Sequence, residues 1–189
     1  MGLTLWISVK MALVIGTNCG FVTTSPTADP TEGNLSVDES AANVKDTSPS
    51  GDNIVTEMGW WCDKATQEAD FELGVYDHNS GDDEAEALIG KSSPTAKGTD
   101  AGWKVVTGLN ISISASTIYW LAIQLDDTAT SSTINVGGSG RRSFKINQTT
   151  LEDPWGTSFN FQPSLLAVYA LVETTAAAAG NSQMMAANF

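Results

Sequence analysis

The chain has 189 residues, 16% of them charged, and a formal net charge of -13, which suits one well-packed core and is short for two domains. With 22 acidic against 9 basic residues, and Arg141-Arg142 as the only adjacent basic pair, nucleic-acid binding is excluded, because it needs clustered Lys and Arg to release counterions. An anionic membrane surface is disfavoured for the same reason, and no apolar run is long and uninterrupted enough for stable insertion as a helix.

Residues 1–16 (MGLTLWISVKMALVIG) are apolar apart from Lys10. A signal peptide fits poorly: no Lys or Arg precedes the apolar stretch, Lys10 interrupts it, and Val14-Ile15-Gly16 is a weak cleavage pattern. A translation start at Met11 is a second reading. The favoured one is a retained strand, since Leu3, Leu5, Ile7 and Val9 alternate with Thr4, Trp6 and Ser8 as a half-buried strand does. Such a strand pairs either with the chain's own sheet or with a neighbour's sheet edge. Leu3, Leu5, Ile7, Val9, Leu13 and Ile15 are therefore the candidate assembly interface.

Residues 23–33 (TTSPTADPTEG) read as a Thr/Pro-rich linker. Beyond it, short apolar runs alternate with turn signals. Residues 35–45 form a weak, edge-type strand, and 54–63 a stronger one carrying Trp60, Trp61 and Cys62. Over residues 71–77, Phe71, Leu73 and Val75 share one face while Glu72, Gly74 and Tyr76 share the other. A polar loop, 78–86, leads to a strand at 87–91, and two more are expected at 103–107 and 109–113. Residues 117–126 place Tyr119, Leu121, Ile123 and Leu125 opposite Ile118, Trp120, Ala122 and Gln124. A short strand at 133–136 and a nearly continuous apolar run at 165–172, suited to a central strand covered on both faces, close the domain. The small-residue tail reads as an arm or a peripheral turn of helix. The expectation is an all-β, two-sheet, jelly-roll-like sandwich over 34–173, preceded by the apolar segment and linker of 1–33 and followed by a C-terminal arm at 174–189.

The runs FELGVYD at 71–77, Leu88-Ile89-Gly90, Gly102-Trp103-Lys104 and Tyr119-Trp120-Leu121-Ala122 resemble the jelly-roll β-sandwich found in phage structural proteins and in secreted bacterial and archaeal surface proteins. The resemblance covers roughly 54–126 and rests on packing motifs, which specify fold better than function. It implies a passive shell, fibre, anchor or glycan-contact role and a virion or extracellular location.

Enzyme signatures are missing: there is one histidine, His78, beside Asp77 and Asn79 in a loop, and neither G-x-S-x-G nor H-E-x-x-H occurs. The strongest local constellation is 77–84 (DHNSGDDE), where Asp77, Asn79, Asp82 and Asp83 offer oxygens around a glycine turn as a calcium site would. The plainer reading is a charged hairpin loop in water; no cofactor is required by the sequence. Asp126-Asp127 would add ligands only if both loops lie at one end of the sandwich. Trp61, Trp120 and Trp155 are the candidate ligand platform, since an exposed indole packs against the apolar face of a sugar ring. Trp155, in a Pro-Trp-Gly turn, is the most exposed on expectation. Cys19 and Cys62 allow at most one bridge, and an inward-facing thiol suits Cys62 better.

The sequence thus favours a non-enzymatic structural subunit of a virion or extracellular filament or surface assembly, self-associating through its N-terminal strand. The rival is a carbohydrate-binding sandwich module, with or without calcium.

Overall fold

A computed structural model describes residues 10–30, 34–37, 40–51, 53–65, 67–126, 132–137, 142–157 and 160–174. In chain order its strands begin with β1 Lys10–Met11, β2 Gly20–Val22, β3 Asp29–Pro30, β4 Asn34–Val37, β5 Ser40–Thr47 and β6 Asn53–Cys62. Next come β7 Lys64–Ala65, β8 Asp70–Asn79, β9 Glu84–Lys91, β10 Thr95–Ala96, β11 Gly102–Ile113 and β12 Ile118–Asp126. The last are β13 Ser132–Gly137, β14 Arg142–Ile146, β15 Asn160–Gln162, β16 Leu165–Leu166 and β17 Val168–Thr174.

The protein is an all-β sandwich. One sheet runs β10-β8-β12-β5-β14-β15, with β9 also paired to β8; the facing sheet runs β11-β6-β17-β2. Smaller sheets, β16-β13-β4 with β7 and the pair β1-β3, flank them. The period-two faces read from the sequence meet in the main core. Leu121, Ile123 and Leu125 align with Val75, Leu73 and Phe71 across the β8–β12 ladder. They face Val55, Met58, Trp60, Val168 and Ala170 of the second sheet, as the inner faces of a sandwich must. The apolar run near the end of the chain becomes β17, hydrogen-bonded on both sides between β6 and β2.

Several expectations are corrected. Residues 35–45 divide into β4 and β5, and β5 is an interior strand between β12 and β14. Its apolar signal is weak because Ala41 and Ala42 are buried on opposite faces, under larger side chains supplied by other strands. The strands expected at 103–107 and 109–113 form one strand, β11, interrupted by a register shift between Thr107 and Ile111 where Gly108 takes a φ of +73°. Residues 1–33 are not a separate segment throughout: Leu13, Cys19 and Phe21 belong to the main core, and β2 joins the second sheet as a parallel strand beside β17. The 23–30 stretch is no free linker either. It lies against that sheet, with Ser25 Oγ donating to Glu57 at 2.5 Å and Trp103 Nε1 donating to the Ala28 carbonyl at 3.0 Å. Cys19 and Cys62 are both buried and unbridged; burial, with Asp46 nearby, pushes the Cys19 thiol up to about 12. The 174–189 arm lies outside the described residues beyond Thr174.

Candidate functional site

The outer face of the large sheet is where the sequence places most of its candidate site. Tyr76, Trp120 and Ala122 point outward from β8 and β12, and with Ala41, Ala85, Leu151 and Trp155 they form a second buried cluster. What covers it is the 147–157 segment, a strap laid across the sheet. Glu72, nearly buried on β8, fixes that strap. Its carboxylate accepts from Lys91 Nζ at 2.9 Å, from Thr150 Oγ1 at 2.8 Å and from the Leu151 backbone N–H at 2.7 Å. Tyr76 Oη donates to the Glu152 carbonyl at 2.6 Å, and the Trp155 N–H donates to the Glu86 carbonyl at 2.7 Å. Burial and the neighbouring carboxylates raise the Tyr76 hydroxyl well above its ordinary pKa, so it stays a neutral donor.

The aromatic platform is therefore corrected. Trp155 is 1% exposed, Trp120 0% and Trp61 9%, so none offers a free face to a sugar. Trp155 packs edge-on against Tyr76 with ring centroids 5.1 Å apart, and Lys145 Nζ lies 5.5 Å from its centroid. Trp120 donates Nε1–H to His78 Nδ1 at 3.2 Å. Trp61 meets Trp103 edge-on at 5.6 Å, and Trp103 in turn meets Tyr169 at 5.2 Å on the outer side of the second sheet, beneath the 23–30 stretch. The turn signal around Trp155 is real, but that turn is folded down onto a sheet.

The acidic loop is the β8–β9 hairpin, and its oxygens are engaged locally. Asp77 accepts from the His78 N–H at 2.9 Å, and Asn79 Oδ1 accepts from the Gly81 N–H at 2.9 Å, closing the turn. Asn79 Nδ2 donates to Asp82 at 3.3 Å. Asp83, at φ +57°, is drawn to Lys45 Nζ at 2.6 Å with His78 Nε2 at 3.7 Å. Among the described residues no three acidic, histidine or cysteine side chains converge as a metal site requires. Asp126 pairs with Asp70, seven residues down β8 from Asp77, which separates the two loops by about 23 Å and removes Asp126 from any shared cage. Asp127 lies outside the described residues. Asn79, Asp82, Glu84 and Glu86 do share a polar hollow of about 290 Å³ with Pro154, Gly156 and Thr157 of the strap. Sequence reasoning found its hairpin half; nothing local announced the strap half.

Of the candidate assembly residues, Leu3, Leu5, Ile7 and Val9 lie outside the described residues. Leu13 is corrected to a core position, 8% exposed, while Ile15 stands 43% exposed. They diverge because the alternation stops at a tight turn. Asn18 accepts from the Val14 N–H at 2.7 Å and donates to the Ala12 carbonyl at 2.9 Å, with Gly16 at φ +80°.

The larger opening, about 500 Å³, was not expected from sequence. Ile54 of β6, Ile89 of β9, Ile113 of β11 and Tyr119 of β12 line it, with Asn53 and Ser112 among its polar residues. Ile89 reaches it through a β-bulge: Val75 pairs with Gly90 and Tyr76 with Leu88, leaving Ile89 as the extra residue, 40% exposed. Bulges re-aim side chains in this way. Gly90 beside it packs closely on β11, since a Cβ there would stand 3.0 Å from the Ile111 side chain.

No family model, curated protein or solved structure matches this chain. Its chemistry has to be read from its own surface. Among the described residues that surface offers an acidic hollow, an apolar groove and the exposed apolar residues Met11, Val14 and Ile15.

Proposed function

We propose that the protein is a non-enzymatic structural subunit of a virion or extracellular filament or surface assembly, akin to the jelly-roll proteins its packing motifs resemble. Copies associate when residues 3–9 of one subunit add as a strand to the sheet of its neighbour. The observation that carries this reading is the apolar surface left open next to that stretch: Met11 is 37%, Val14 48% and Ile15 43% exposed. Single exposed apolar residues are ordinary, but three within five positions, following in sequence on the apolar Leu3, Leu5, Ile7 and Val9, support a surface that a partner covers. Strand addition suits the alternation, because backbone hydrogen bonds supply affinity and every second side chain enters the neighbour's apolar surface. Burial of Trp61, Trp120 and Trp155 by the protein's own segments weighs against a sugar platform.

Sedimentation velocity over a concentration series tests the reading. The full chain is expected to form species larger than a monomer, and the double variant Leu5→Asp/Ile7→Asp to remain monomeric with an unchanged far-UV spectrum. A full chain that stays monomeric at every concentration would overturn it.

A further inference from the structure

We infer that the acceptor for the neighbour's strand is the groove between β9 and β11, lined by Ile54, Ile89, Ile113 and Tyr119; this rests on the strand-addition reading above. β9 is paired only to β8, and β11 only to β6, among the described residues. Each lies at the border of its own sheet, but the edge of β9 is engaged at Glu86, whose carbonyl accepts from the Trp155 N–H, and at Leu88, whose N–H donates to Asp153, so β11 supplies the strand edge beside the apolar hollow. A long edge strand left open is an association site unless something covers it, and β11 runs for 12 residues. The bulge that turns Ile89 outward places an apolar side chain where a solvent-facing strand would carry a polar one.

The occupant is residues 3–9 of a second copy. The groove asks for an extended segment with one apolar face, and Leu3, Leu5, Ile7 and Val9 supply four such side chains at period two, with Thr4, Trp6 and Ser8 opposite. Ser112, exposed in the lining, offers an incoming strand's backbone a hydrogen-bonding partner beside the apolar residues. A second copy, not the same chain, is assigned because Met11, Val14 and Ile15, directly after the donor segment, stand open on the subunit that carries them. A neighbour that receives the strand is placed to cover them as well.

The test uses the full chain with a photo-crosslinking residue at position 7, together with the variants Ile89→Asp and Ser112→Arg. Ile89 and Ser112 are both exposed, so neither change disturbs the core, and thermal melts of the monomers verify this. The expected result is a dimer-mass crosslink mapping to Ile54, Ile89 or Ile113, and association weakened at least about thirtyfold by Ile89→Asp, the fold-change of an interface hot spot. Ser112→Arg, placing a bulky charge at the groove, is expected to weaken it as well. If Leu5→Asp/Ile7→Asp abolishes association while both groove variants associate normally, strand addition stands and this acceptor is wrong. If the crosslink has monomer mass, the groove receives the chain's own segment and the assignment to a second copy is overturned. If the unmodified chain never associates, the functional reading itself fails.

Discussion

Replacing Glu72 tests whether the strap is an integral cover or a loose loop. The Glu72 side chain is 5% exposed and Lys91 28%, so the pair is screened on one side only. In Glu72→Ala the buried Leu151 N–H loses its acceptor, at about 1–3 kcal/mol. Lys91 loses its carboxylate but keeps water, Thr150 and the Leu151 carbonyl, which limits that part to about 1 kcal/mol. The expected total is about 2–4 kcal/mol. Glu72→Gln keeps one acceptor oxygen and is expected to lose about half of that. Urea unfolding gives the energies, and amide exchange at Leu151 reports the strap directly. Exchange there should accelerate in Glu72→Ala more than exchange in β12. A loss under about 0.5 kcal/mol with Leu151 still protected would mean that the strap is held by other contacts and that Glu72 does not anchor it.

Trp155→Ala is expected to destabilise by about 3–5 kcal/mol, as a fully buried indole lost from a packed cluster does, measured by urea unfolding; a change within about 0.5 kcal/mol would return Trp155 to the surface. Gly59→Ala should cost about 1–3 kcal/mol through overpacking, because its Cβ would stand 2.5 Å from the Tyr169 ring, and the melting temperature checks it. Asp46 is raised above the ordinary carboxylate range, burial outweighing the N–H donors of Phe21 and Thr47. The folded state therefore holds this proton longer than the unfolded chain, whose Asp titrates near about 3.9. The contribution of this carboxyl to stability is fully present below that pH and is lost as pH rises through the higher folded value. Asp46→Asn should flatten this part of a stability–pH profile, and a profile identical to that of the unmodified protein would contradict the assignment.

The sandwich was legible because its core faces are built from strict alternation. Phe71, Leu73 and Val75, and Tyr119, Leu121, Ile123 and Leu125, could be assigned to one face from period two alone, and they meet as expected. β5 was misplaced because Ala41 and Ala42 carry little apolar signal, and their burial depends on partners supplied by other strands. The candidate site was less legible for a related reason. Trp120 and Trp155 look like a surface pair until the strap closes over them, and the strap is held by Glu72, more than 70 residues away in sequence. A polar residue on the outward face of a strand gives no sign that a loop will bury it. The groove at Ile89 was hidden because a bulge leaves no mark in a run of apolar residues.

The most direct measurement is hydrogen exchange over residues 3–9 in assembled and dissociated protein. Strong protection of these amides in the assembly, lost on dissociation, is expected of a strand paired to a neighbour. Exchange at unstructured rates in both states, with the assembly intact, would show that the subunits are joined elsewhere.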